Sequence, residues 1–597
     1  MTETSSGLFF RRQGRVAVAR KAADMRRLLV RGLVLAVAIG LFSAATAPNR
    51  YRIDDRVLIH TRDGATISAI VVRPAGARAK LSTAFTFTIY ADKETDLRQV
   101  EYAADRGYAG VWAYTRGKME SPQKIVPYEY DGRDADAAIG WIARQPWSDG
   151  KVGMYGGSYN GFTTWAAAKY ANPALKTIVP YVANNPGNGL PMQNNIFLLV
   201  NYPWPYYVTN NKTIDNAAYT DPRFNRLGVR WFASGRAYRD VPAVAGTPNP
   251  WFEKWLGHPS YDAYWQAMLP YKAGFARIGI PVLVVDGYYD DGQISELALF
   301  NDLNRYNPRA KSYLVIGPWD RLGTQHRVKD AILRGYHIDP VAQVDTPKLT
   351  FDWFDYVLHG RPKPALVGDH INYEVMGANL WKHAPSIAAM GTTKTLYLTG
   401  TRLSKRFYLL STREPATTSA LRETVDLTDR RDWHNADAYP DPIVDHKPDL
   451  SSGFAFVTRP FARAMDVSGF DGQVDAVINK RDMDVGLVLY EMQPDGKLME
   501  LSNYLGRASY ARDTSRRVLL KPGESTHIPF DRAFLFSKRI AKGSRLLLSL
   551  DVNVNPFAEV DYGSGKDVGT ESIRDAGAPL DIRWLTSSYI RVRIQRP

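Results

Sequence analysis

The 597-residue sequence contains no cysteine, which excludes disulfides, thiolate metal sites, a catalytic thiol and a lipid-bearing cysteine together. A Gly-rich phosphate loop of the Walker type is also missing. No compact basic block interleaved with aromatics occurs, so the net charge of +15 reads as a solvated basic surface and no nucleic-acid partner is expected. Part of that charge is local: residues 1–47 hold eight Arg or Lys against two acids, leaving about +9 for the rest. Nor is there an apolar run of the roughly 20 residues that a membrane-spanning helix needs. The longest near the start, residues 33–42, has ten, preceded by Arg26, Arg27 and Arg31 and followed by Ser43-Ala44-Ala45-Thr46-Ala47. That order of basic, apolar and small residues is a secretory signal. Export to a periplasm or beyond is therefore expected, with anchoring through residues 33–42 as the alternative and Met25 as a second possible start.

What is present is globular. Hydrophobic residues make up 45% and aromatics 12% of the chain, enough for large cores and apolar pockets, and the length calls for two large domains. Alternation of Val57, Ile59, Ile67, Ala69 and Val71 around Asp63-Gly64 predicts an opening β-hairpin. A strand ending at Ile89-Tyr90, a helix over 97–106 and a short strand over 110–113 follow. A helix over 134–144 is next, with Asp131 or Asp134 as its cap. Strands at 152–155, 177–182, 281–285 and 313–316, alternating with helices, predict an α/β fold with a mostly parallel sheet covered on both faces. Between about 184 and 276 this pattern gives way to Asn, Pro and aromatics, read as an inserted cap. Beyond Gly360-Arg361-Pro362-Lys363-Pro364, short alternating runs such as Val485, Leu487 and Leu489, and Leu546, Leu548 and Leu550, predict an all-β jelly-roll sandwich. The expected division is a leader at 1–47, a core at 48–185 and 276–364 around a cap at 186–275, and the β-domain at 365–597.

The most informative stretch is Gly156-Gly157-Ser158-Tyr159-Asn160-Gly161, set between a predicted strand and a predicted helix. Glycines on both sides allow the sharp turn that lifts a serine hydroxyl above a sheet, and the N–H after the serine can face an oxyanion. A hydroxyl attacks only when a base takes its proton, so a histidine and an orienting carboxylate are required downstream. Asp290 lies just past a strand where such an acid belongs, with Asp291 as its rival. His326 is the histidine nearest the end of the next strand, and His337 is a more remote substitute.

These motifs resemble the CocE/NonD hydrolases, the group that includes bacterial cocaine esterase, α-amino-acid ester hydrolases, acylases acting on cephalosporin side chains and X-prolyl dipeptidyl peptidases. The resemblance rests on Asp63-Gly64, Arg106-Gly107-Tyr108, Gln145-Pro146-Trp147-Ser148-Asp149-Gly150, Ser158-Tyr159, Gly317-Pro318-Trp319 and Tyr562-Gly563-Ser564-Gly565. It implies an α/β-hydrolase core with a helical cap and a jelly-roll (galactose-binding-like) domain. It also implies a serine hydrolase cleaving an ester, amide or short peptide, with Ser158 as nucleophile, Asp290 as acid, and Tyr90 and the N–H of Tyr159 as oxyanion donors. Neither cofactor nor metal is called for. One departure matters: two residues after Gly-Pro-Trp, where the family pattern has histidine, this chain has Arg321. Arginine stays protonated near neutral pH, so either His326 serves as base or the triad is broken and the chain is a silent binding homologue. The cap aromatics Trp251, Phe252, Trp255, Tyr261, Tyr264 and Trp265 suggest an apolar or aromatic acyl group.

Overall fold

The computed structural model describes residues 50–328, 331–436, 441–446, 448 and 450–597. The expected signal segment lies outside them. Among the described residues no helix is long and apolar enough to cross a membrane.

Strands β1 (Tyr51–His60) and β2 (Thr66–Pro74) form the opening hairpin, with Val57 opposite Ala69 and Ile59 opposite Ile67. Then come β3 (Leu81–Thr88), α1 (Lys93–Asp105), β4 (Ala109–Tyr114), α2 (Asp131–Ala143), β5 (Ser148–Gly157), α3 (Tyr159–Ala168) and β6 (Leu175–Tyr181). After the cap, the sheet resumes with β7 (Val282–Gly287), α9 (Gln293–Tyr306), β8 (Ser312–Gly317), α10 (Thr346–His359), β9 (Ile371–Val375) and β10 (Leu380–Ala384). The ten strands lie in the order β1-β2-β4-β3-β5-β6-β7-β8-β9-β10. From β4 to β9 every pairing is parallel, so the carboxyl ends of the central strands share one edge, where ligands bind in such sheets. Parallel strands are covered on both faces, and accordingly all six residues of β4 and of β7 are buried.

One expectation about α2 changes. Its first turn starts after Tyr130, which makes no side-chain cap. Asp131 turns inward instead, accepting from Thr115 Oγ1 at 2.5 Å and from the Tyr159 hydroxyl at 2.8 Å. Satisfying a buried carboxyl with two hydroxyl donors outweighs a cap here.

The cap contains the short helices α4 (Trp204–Thr209), α5 (Leu227–Ser234), α6 (Val241–Ala245), α7 (Pro250–Leu256) and α8 (Ala263–Gln266). Behind it the described residues from Thr392 onward are all-β apart from 3-10 turns. The alternating leucines read in the sequence face one another, Leu487 opposite Leu550 and Leu489 opposite Leu548. The β-domain is tied to the rest by polar clasps. Gln293 Nε2 donates to Leu535 O at 3.0 Å while its Oε1 accepts from Leu535 N. The buried Arg507 donates to Asn195 O at 2.8 Å while paired with Asp484 and Glu559.

Candidate functional site

Ser158 stands between β5 and α3 with φ 58° and ψ −119°. A non-glycine residue in that region is strained, and the surroundings hold it there. Ser158 N donates to Tyr181 O at 3.0 Å, and Ser158 O accepts from Phe162 and Asn184 N–H groups. Glycine is required beside it: a Cβ on Gly161 would lie 2.8 Å from Tyr181 O and from Ala183 Cβ, so α3 could not approach β6. Tyr159 is the first residue of α3, where a backbone N–H has no partner within the helix. Its side chain anchors the turn, since the hydroxyl donates to Asp131 and accepts from Tyr128 N, both at 2.8 Å.

Two groups reach the Ser158 hydroxyl. The Tyr90 hydroxyl, from the loop after β3, lies 3.4 Å from Ser158 Oγ, and Trp204 Nε1 on α4 donates to that tyrosine at 3.2 Å. Arg321, from the loop after β8, donates through Nη1 to Ser158 Oγ at 3.1 Å, and also to Val182 O at 3.2 Å and Asn184 Oδ1 at 3.3 Å. Its Nε is 2.6 Å from Asp291 Oδ1 and 3.2 Å from Asp290 Oδ1. Burial disfavours the guanidinium's charge, but the two carboxylates more than compensate and its pKa is raised. Asp290 is fully buried, and burial pushes its carboxyl well up despite Arg321. Asp291 is exposed at the rim. Its partial desolvation pulls the other way, yet Arg321 holds it below the ordinary carboxylate range. Asp291 is therefore the charged partner of Arg321, and Asp290 sits behind it closer to neutral.

The pocket in front of Ser158 has a volume of about 400 Å³, with aromatic walls from Tyr90, Tyr128, Trp204, Tyr207, Tyr219 and Trp255. A second cavity of about 510 Å³, between cap and β-domain, shares Asp291 and Val200 with it and reaches Asp290, Asn503 and Tyr504.

The structure thus brings Ser158, Asp290 and Asp291 onto Arg321, with Tyr90 beside the Ser158 hydroxyl and Tyr159 next in the chain, and it does not bring His326 there. His326 is exposed and does not line the pocket. It is the neighbouring Gln325 whose side chain lies against Gly157. His337 is likewise exposed, on a two-residue strand. No histidine lines this pocket among the described residues. Of the six cap aromatics named from the sequence, Trp255 alone reaches it. The others are engaged in packing: Trp265, for example, is fully buried and donates to His258 O at 2.8 Å. Sequence reasoning did not assign Trp204, Tyr128 or Asn184 to the site, because nothing local marks an indole whose partner is 114 residues away. Among the described residues, Glu423, His434 and Asp551 of the β-domain have metal-ligand spacing. Each is already engaged, Glu423 by Gly453 N and Trp584 Nε1, Asp551 by His434 and Ser452.

A serine on a strained strand-to-helix turn above a parallel sheet, beneath a helical cap, defines an α/β-hydrolase. Residues 63–322 match the X-Pro dipeptidyl-peptidase (S15 family) model, and residues 369–574 match the X-Pro dipeptidyl-peptidase C-terminal non-catalytic domain. The cocaine esterase of Rhodococcus sp. (strain MB1 Bresler) is 24% identical over 560 residues, covering 88% of this chain and 95% of that protein. The structure of an α-amino-acid ester hydrolase superimposes with a TM-score of 0.74 at 20% identity, covering 94% of this chain and all of that one. An aminopeptidase from a marine sediment archaeon of the Thaumarchaeota gives a TM-score of 0.75 at 19% identity, over 92% and 96% of the two chains. The chain belongs to the CocE/NonD family of serine hydrolases, whose members include esterases and S15 peptidases.

Proposed function

We propose that this chain is an exported serine hydrolase for small esters or amides, whether acyl esters, amino-acid esters or X-Pro peptides. Ser158 attacks the carbonyl as its proton passes to solvent, the Tyr90 hydroxyl and the Tyr159 N–H take the oxyanion, the alcohol or amine leaves, and water then cleaves the acyl-enzyme to free acid and Ser158. The observation that carries this reading is Ser158 itself, at φ 58° with the Tyr90 hydroxyl 3.4 Å from its Oγ. Proton transfer is the slow point. Arg321 occupies the base position and cannot accept a proton while it is paired with Asp291. Turnover is therefore well below that of a relative with histidine there.

The test is hydrolysis of p-nitrophenyl butyrate by the full chain and its variants. Arg321→His should raise kcat/KM by about a hundredfold or more, as a positioned base does. Ser158→Ala should abolish the activity of that variant, and His326→Ala should change nothing. A parent that already turns over briskly and is silenced by His326→Ala would overturn the account of Arg321 in favour of a displaced triad. A second reading, a pocket that holds its ligand without cleaving it, is favoured by one observation: Ser158 Oγ accepts a hydrogen bond from Arg321. Failure of a fluorophosphonate to label Ser158 would support that reading.

A further inference from the structure

In a working triad the serine hydroxyl donates to an imidazole. In this chain the polarity is reversed. Arg321 Nη1 donates to Ser158 Oγ, so the serine's own proton has to point elsewhere. Trp204 Nε1 donates to the Tyr90 hydroxyl, so the tyrosine's proton points away from the indole. The two hydroxyls are 3.4 Å apart, and only one of them can donate to the other. At least one hydroxyl proton is therefore left for the pocket, near the Tyr159 N–H, which at the start of α3 has no partner within the helix.

The charge balance also differs from that of a triad. A neutral histidine with its aspartate carries −1, whereas Arg321 with Asp291 carries none, and burial keeps Asp290 near neutral. Donors at the floor and a neighbouring cation, with the rim carboxylate of Asp291 already turned to that cation, suit a ligand rich in acceptors and bearing negative charge. The walls of Tyr128, Trp204, Tyr207, Tyr219 and Trp255 suit a ring, and about 400 Å³ lies in the size range of small-molecule sites. We propose that the Ser158 pocket binds the carboxylate of a small aromatic acid, its oxygens on the Ser158 and Tyr90 hydroxyls and the Tyr159 N–H, beside the Arg321 cation. This deepens the preceding section and rests on its assignment of Ser158, Tyr90 and Tyr159.

The experiment is titration of the full chain with phenylacetate and with phenylacetamide, which differ in charge but hardly in shape, followed by calorimetry and by Trp fluorescence. Phenylacetate should bind at least about tenfold more tightly. Arg321→Gln should erase that preference, with amide binding still measurable at a temperature below the variant's own thermal midpoint, and Arg321→Lys should restore part of it. Equal affinity for acid and amide, or no saturation by the acid below about 10 mM, would overturn the proposal. The two readings fail separately. An Arg321→His variant inert towards esters, in a chain that prefers phenylacetate, sinks the hydrolase reading alone. An active Arg321→His variant, in a chain blind to the ligand's charge, sinks this one alone.

Discussion

Tyr159 does two things with one residue. Its backbone N–H follows Ser158 at the start of α3, and its hydroxyl joins the Asp131 carboxyl and the Tyr128 N–H. Tyr159→Phe keeps the ring and removes both bonds inside a dry core. A buried donor left without a partner costs about 1–3 kcal/mol, so urea unfolding of this variant should show a lowered midpoint with the slope unchanged. No change in midpoint would mean that water replaces the hydroxyl. At this scale the sequence was legible where chemistry is local: Gly156-Gly157-Ser158 announces the turn, and Arg321 announces a missing base. The contacts that give those residues meaning were not legible. That Arg321 lands on Ser158 Oγ and is neutralised by Asp291, rather than pointing to solvent, depends on two loops 30 residues apart folding onto each other.

The element that carries the site is α3, and its position depends on the absence of side chains. Gly161 lets the helix come within contact distance of the end of β6. Gly161→Val would push α3 outward, and overpacking of this kind costs about 1–3 kcal/mol. Because Ser158 immediately precedes this helix and Tyr159 is its first residue, ligand binding should fall along with stability. Gly76→Ala, at a surface glycine with nothing within 4 Å of the added carbon and no positive φ, is the neutral control. Equal melting curves for the two variants would show that the helix has room to spare. The strands around it were readable in the sequence, since a parallel sheet buries both faces and leaves continuous apolar runs such as β7. The short cap helices were not, because their positions are set by aromatic contacts between distant segments, such as Tyr202 with Phe252. No repeating pattern along the chain records such contacts.

Over the whole molecule, buried acids set the response to pH. Burial pushes Asp96, Asp131 and Glu296 up to about 7, and Glu374 up to about 10. A raised carboxyl pKa means that the folded form keeps a proton that the unfolded chain gives up near pH 4. These groups favour folding fully below about pH 4, and their contribution is lost as pH rises through 7. Asp63, held at about 2 chiefly by Thr61 and Arg116, acts oppositely and costs stability only in stronger acid. The thermal midpoint should therefore be higher near about pH 5 than near about pH 8, and Asp131→Asn should flatten part of that slope. A midpoint that rises over this interval would contradict the assignment.

The clasps on Gln293 and Arg507 also bear on where this chain can be altered. Among the described residues, none of the β-domain lines the Ser158 pocket, yet its residues 500–505 form a wall of the cavity adjoining Asp290. Substitutions in that wall reshape the space beside the site without touching the serine, the tyrosines or the arginine. A library confined to residues 500–505 would thus change what the molecule accepts while its chemistry stays fixed, and a hydrolase core expressed without the β-domain would lose one side of its own second chamber.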